Sequence, residues 1–268
     1  METKKETKSK GFSAGLIILG SFIVAVVFFW GICANPSHFD DKGNPLPGDF
    51  FGLLYQGGFV IPLVITLLLT VITLSIERLF ALNRASGKAK NEKFVMEAKQ
   101  KIDTGDIAGA TQLCDAQKGS IANIVREGLV RYEDVEDITN ITNSDKAELI
   151  QKEIDEATTL ELPYLEKNLN IIAAISTLGT LFGLFGTVLG MIRAFSAMGH
   201  EGAPDSTALA VGISEALLNT ALGIGTGALA IITYTYFNGR ITSMTNAVDE
   251  IGFAIGQSFI KRHGGLAK

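Results

Sequence analysis

The sequence predicts an all-α polytopic membrane protein whose long helices extend from the bilayer into a cytoplasmic helical bundle. Three observations predict it. Four apolar runs, at 12–34, 57–80, 169–192 and 207–237, each reach the roughly 20 residues that a helix needs to cross a hydrocarbon core. Lysines and arginines cluster at alternate ends of these runs, which orients them by the excess of basic residues on the cytoplasmic side. Elsewhere apolar residues recur at helical spacing, with no alternating strand pattern. Composition agrees: the 268 residues are 47% hydrophobic and only 19% charged, and the mean hydropathy is +0.30. A net charge of −5 leaves no electrostatic footprint for nucleic acid.

Residues 1–10 are a basic cytoplasmic N-terminus carrying Lys4, Lys5, Lys8 and Lys10. Residues 11–34 hold no charge and read as an N-terminal transmembrane helix. A basic start before an apolar run also fits a cleaved signal segment. The run exceeds the usual signal core of about 7–15 residues, and Gly31-Ile32-Cys33-Ala34 is a poor cleavage site, so a retained span is preferred. Residues 35–56, rich in Pro, Gly and Asp, form a periplasmic loop. Residues 57–80 are the second span, followed by Arg84, Lys88, Lys90 and Lys93 on the cytoplasmic side.

Residues 81–168 form a cytoplasmic helical domain. Ile121, Ile124, Val125, Leu129 and Val130 mark one apolar helix face. Breaks are predicted at Asp103-Thr104-Gly105-Asp106, with Asp106 capping a helix from Ile107, and at Lys118-Gly119-Ser120. Residues 140–145 are predicted to loop, with Ser144 or Asp145 capping a helix from about Lys146. This segment lacks histidine, a Gly-rich phosphate loop and any nucleophile constellation, so an enzyme domain is not expected. Residues 169–193 are the third span and 194–206 a short periplasmic loop. Residues 207–237 are the fourth span and return to the cytoplasm. Residues 238–268 are a cytoplasmic C-terminal helix and tail; Ile241, Met244, Val248, Ile251, Ile255 and Phe259 keep the helical spacing, and Gly264-Gly265 should fray. Cys33 and Cys114 fall on opposite sides of the membrane, so no disulfide is expected between them. His38, His200 and His263 are scattered, so neither a metal site nor a cofactor is expected.

The chemistry concentrates in the last two spans. Glu215 interrupts an otherwise apolar run. A charge inside a span costs at least about 2.5–3.5 kcal/mol, and such residues face a bundle interior or a wet cavity. Glu215 lies roughly 12 Å and Thr187 roughly 9 Å from the same end of two antiparallel spans, by helix rise. Asn219 shares the Glu215 face one turn on. With Thr220, Thr226 and Thr233 they form a thin polar track. Such a track suits protons: a carboxyl can be neutral when loaded and ionised when empty, and hydroxyls and amides can order a file of water. The plainer reading makes Glu215 a structural acid and lets the threonines bond back to their own helices. Gly179, Gly183, Gly186 and Gly190, then Gly212, Ala216, Thr220, Gly223 and Gly227, place small residues at close helix-packing spacing. They fit either packing within one chain or a homo-oligomer ringed by these spans.

Two stretches carry a family resemblance. Gly183-Leu184-Phe185-Gly186-Thr187-Val188-Leu189-Gly190-Met191 and Gly212-Ile213-Ser214-Glu215-Ala216-Leu217-Leu218-Asn219-Thr220-Ala221-Leu222-Gly223 resemble the two motifs of the MotA/TolQ/ExbB proton channel family. The Glu-Ala-Leu stretch resembles its ExbB/TolQ-like members. Weaker similarity extends over roughly residues 51–259. The resemblance implies a bacterial inner-membrane homopentamer around a single-span ExbD/TolR-like partner, with protons passing residues matching Thr187, Glu215 and Thr220. It implies a motor that energises a TonB-like protein for transport across the outer membrane. Alternatives are a TolQ-like role in envelope maintenance with a TolA-like partner, a flagellar stator, or a non-conducting scaffold. Two departures stand out. Gly179-Thr180 occupies the place of a common Ala-Pro, and residues 11–34 add a span to the usual three.

Overall fold

Each apolar run becomes a helix, and helix is the only regular structure longer than a single bridge among the described residues. The structure, a computed structural model, describes residues 14–41, 43–46, 48–198 and 206–263. Helix α1 spans Ala14–Phe28 and continues as a π-helical turn over Phe29–Cys33. A 3₁₀ turn at Pro36–His38 precedes α2, Phe50–Gln56. Helix α3 spans Val60–Ala85, α4 Asn91–Thr104, α5 Ile107–Gln117, α6 Ser120–Glu136 and α7 Asn143–Leu165. Helix α8 spans Leu169–Met198 and α9 Ser206–His263. Four helices are long and apolar enough to cross a membrane: Ala14–Cys33, Val60–Ala85, Leu169–Ser196 and Ser206–His263. The chain is an all-α membrane protein.

The helices gather into two compact units. The first comprises residues 1–76 and 170–234. Its core holds Val71 and Leu74 of α3, Ile172 and Ile175 of α8 and Ala230 of α9, with Ile17 of α1 packed against them. A second cluster joins Phe29 and Cys33 to Leu54 of α2 and Ile61 of α3. Tyr55 of α2 stacks on Phe29 at 5.2 Å between centroids and meets Phe39 edge-on at 5.5 Å. Helix α2 itself corrects the expectation of a loop over 35–56. Asp49 caps it, accepting the Gly52 N–H at 3.0 Å and pairing with His38 at 2.8 Å. Those two bonds, the backbone one first, hold the Asp49 carboxyl below its ordinary range. The Pro- and Gly-rich composition concealed a seven-residue, largely apolar helix.

The second unit comprises residues 77–169 and 235–268. Its core joins Phe94 and Ile102 of α4, Ile124 and Leu129 of α6, Ile150 and Ile154 of α7, and Ile251, Ile255 and Phe259 of α9. Tyr132 meets Phe259 edge-on at 4.9 Å. Asp106 caps α5 through the Gly109 N–H, as expected, and Gly105 ends α4 in the left-handed region at φ +74°. The break at 118–119 is also present, and Gln117 fastens it by bonding Ser86 and Ala89 backbone groups. Burial pushes the Cys114 thiol up to about 12.

Two expectations need correction here. Helix α7 begins at Asn143 and is capped by Thr142, with Asp145 returning a bond to the Thr142 N–H in a capping box. Ser144 and Asp145 therefore lie inside the helix rather than before it. Helix α8 also runs on to Met198, so the start of the predicted 194–206 loop is helical. His200, the basic residues 1–10 and Gly264-Gly265 lie outside the described residues.

Candidate functional site

The site lies in the first unit, where α8 and α9 run antiparallel with their backbones in contact. A Cβ built on Gly183 would lie 3.0 Å from Gly223 Cα, and one on Gly179 3.0 Å from the Gly227 nitrogen. At the other end, a Cβ on Gly190 would lie 2.8 Å from the Ala216 nitrogen, and one on Gly212 2.8 Å from Ala194. On Gly186 it would run into the side chain of Asn219. Gly179, Gly183, Gly186, Gly190, Gly212, Ala216, Gly223 and Gly227 are all buried against the neighbouring helix of the same chain, and Thr220 is half-buried. These contacts realise the close helix packing within one chain that the spacing predicts.

Close approach brings the polar residues into pairs. Thr187 and Thr220 join hydroxyl to hydroxyl, and both lie within bonding distance of the Gly183 carbonyl, at 3.1 and 3.4 Å. Glu215 points elsewhere. Its Oε1 accepts a 2.5 Å hydrogen bond from Arg193 Nη1 near the end of α8. The carboxylate is only 5% exposed, whereas the guanidinium is 51% exposed. Asn219 is fully buried; its Nδ2 donates to the Gly57 carbonyl at 3.1 Å, and its Oδ1 is buried without a hydrogen-bond partner. Thr226 is buried about two turns further along, and Thr233 is half-buried beyond it. A groove of about 650 Å³ opens beside Thr187, lined by Val188, Met191, Ile192 and Phe195.

The predicted polar track is therefore present as separate contacts. Thr187 meets Thr220, Glu215 meets Arg193, and Asn219 meets the turn between α2 and α3. Among the described residues no hydrogen bond joins Glu215 to a threonine. Arg193, Gly57 and Gly58 were missed by sequence reasoning. Gly58 adopts φ +68°, and a Cβ there would lie 3.1 Å from Arg193 Nη1 and 3.2 Å from Glu215 Oε1. Only glycine lets the backbone close over the ion pair. Arg193 ends the predicted third span, and antiparallel pairing of Gly183 with Gly223 puts it within about a turn of Glu215. No cluster of metal ligands occurs among the described residues.

Long apolar helices packed through glycine, with a buried acid paired to an arginine among them, define an all-α membrane protein. The chain belongs to the MotA/TolQ/ExbB proton channel family, whose model matches residues 116–250, half of its length. That family is one of transport subunits, not an enzyme class. Biopolymer transport protein ExbB of Helicobacter pylori is 40% identical over 31% of this chain and 57% of the relative. Tol-Pal system protein TolQ of Haemophilus influenzae is 33% identical over 40% of this chain and 47% of its own. An ExbB homolog of Methanothermobacter thermautotrophicus is similar over a longer stretch, 76% of this chain and 69% of the relative, at 21% identity. The chain thus matches about half the length of the bacterial ExbB and TolQ relatives.

Proposed function

We propose that this chain is the proton-conducting subunit of an ExbB-like inner-membrane motor, which uses the proton gradient to energise a TonB-like protein for transport across the outer membrane. The observation that carries the reading is Glu215, a carboxylate 5% exposed in the apolar first part of α9. An isolated buried carboxylate is too costly to remain charged, so it either pairs or takes up a proton. Arg193 is its partner in the structure, Thr187, Thr220 and Asn219 are further polar groups on the same two helices, and the unpartnered Asn219 Oδ1 would accept from a passing water. Glu215 accepts and releases the proton in this reading, and the two hydroxyls order the water that delivers it. The working unit is a homo-oligomer, a pentamer by family resemblance, with an ExbD/TolR-like single-span protein at its centre. Both termini face the cytoplasm, as the basic residues at 4–10 and 261–262 favour.

The test is proton flux in liposomes carrying the purified complex. Glu215→Gln should abolish flux while the complex still assembles; full flux in that variant overturns the reading. Thr187→Val and Thr220→Val should slow flux without stopping it. A second reading, a TolQ-like subunit for outer-membrane integrity and division, is favoured by the similarity to the Haemophilus influenzae protein. Identification of the co-purifying partner as TonB-like or TolA-like separates the two.

A further inference from the structure

We propose that Arg193 is the latch of the Glu215 site: its guanidinium and the transported proton are alternative counter-charges for one carboxylate oxygen. This rests on the reading of Glu215 as a proton carrier. The bond from Arg193 Nη1 to Glu215 Oε1 is 2.5 Å long, and it is the one ion pair that either residue makes among the described residues. While it stands, the carboxylate is satisfied as an anion and has no need of a proton.

The pair is unequally placed, which sets how it opens. Glu215 is 5% exposed and Arg193 51% exposed. A long side chain with a half-wet head can swing its charge away while its stem remains on apolar surface. Glu215, on a helix packed by glycine against its neighbour, cannot follow. Left behind, a carboxylate in apolar surroundings becomes neutral by binding a proton. Departure of Arg193 and protonation of Glu215 are therefore one coupled event, and return of Arg193 expels the proton.

The turn between α2 and α3 closes over the latch. Asn219 Nδ2 holds the Gly57 carbonyl at 3.1 Å. Gly58, at φ +68°, lies so near that a Cβ would fall 3.1 Å from Arg193 Nη1 and 3.2 Å from Glu215 Oε1. Arg193 is thus a positioning residue, acting through Glu215, with the Gly58 backbone close to both side chains.

Carbodiimide labelling tests this, because a protonated carboxyl gives its proton to the reagent's nitrogen and its oxygen then adds to the reagent's central carbon, whereas an ion-paired carboxylate has no proton to give. The full chain in liposomes is treated with dicyclohexylcarbodiimide, and the adduct on Glu215 is followed by peptide mass spectrometry. Arg193→Met, which removes the charge and keeps much of the bulk, should label at least tenfold faster than the natural chain. Arg193→Lys, of similar bulk but charged, should stay within about threefold of it. Equal rates for Arg193→Met and the natural chain overturn the latch. So do equal, raised rates for Met and Lys, which would mean simple unblocking. Gly58→Ala, folded as judged by circular dichroism, should also label faster, and no change there counts against the cover. The outcome is separable from the proton reading. Flux that survives Glu215→Gln defeats the carrier role, while unchanged labelling with flux lost in Glu215→Gln defeats the latch alone.

Discussion

The α8–α9 crossing and the α6–α7 crossing are both antiparallel helix contacts, and they are made of opposite materials. Between α8 and α9, glycines at 179, 183, 190, 212, 223 and 227 bring backbone onto backbone. Between α6 and α7, branched side chains fill the gap: Ile154 packs over Gly128, with Ile121, Ile124, Val125 and Ile150 buried around it. Solvent explains the contrast. In lipid a large apolar side chain gains little by facing a helix instead of an acyl chain, so attraction comes from close approach and polar contacts. In water the same side chain gains roughly 25 cal/mol for each Å² it hides. Polar groups divide likewise. Beside α8 and α9 they pair inward, as Arg193 with Glu215. In the second unit several pair at the surface or cap helix ends, as Lys99 with Glu250 at 2.8 Å and Thr142 with Asp145.

The largest expected effect breaks the glycine contact. Gly223→Leu would drive a side chain into the Gly179 carbonyl and Gly183 Cα, each 2.5 Å from where a Cβ would sit. The loss should exceed about 3 kcal/mol, seen as a collapse of the melting temperature in detergent. Gly225, on the same helix with nothing within 4 Å of its Cβ position, should accept leucine with little change. If both variants melt alike, the contrast between the crossings is wrong.

Next is the aliphatic and aromatic core of the second unit. Phe259 is fully buried against Tyr132 and His263, and Phe259→Ala should cost about 3–5 kcal/mol. Phe253, 67% exposed six residues earlier, should tolerate alanine nearly without loss in the same melting experiment.

A smaller effect is expected at the α7 cap. Thr142→Ala should cost about 1 kcal/mol, read from denaturant unfolding at neutral pH. Asp145 sharpens it. Bonds from the Thr142 side chain and backbone hold its carboxyl below the ordinary range. A group depressed in the folded state stabilises above its unfolded titration range and loses that contribution as pH falls through its folded one. Asp145→Asn should therefore lower stability at neutral pH and make no difference in strong acid. A loss that persists in acid would assign the effect to something other than charge. Least of all, Lys152→Ala should fall within about 0.5 kcal/mol of the natural chain, since its pair with Glu156 is exposed at both ends.

The same contrast governs what could be read without coordinates. Glu215, Asn219, Thr187 and Thr220 were legible because any polar residue in an apolar run is conspicuous. So was the apolar stripe of α9 from Ile241 to Phe259, every member of which is buried. Arg193 was legible as a residue and not as a partner. At the end of a span an arginine has an ordinary explanation, and only helix pairing turns it back towards Glu215. Gly57 and Gly58 begin the predicted second span, yet α3 starts only at Val60 and both glycines lie in the turn before it. What they do depends on α2 folding back, held by Asp49 and by the aromatic contacts of Tyr55. Thr142, the actual cap, does not stand out in the sequence because Ser144 and Asp145 are equally good capping residues. The geometry at the first turn, not residue type, decides among them.

Both native sulfhydryls, finally, are shut away: Cys33 is wholly covered, Cys114 is 3% exposed and its thiol is pushed up to about 12. Thiolate is the form that reacts with maleimides and similar reagents. Natural protein should therefore give almost no background to such probes, and a reporter cysteine introduced at Val188 or Phe195, beside the groove next to Thr187, would carry nearly the whole signal.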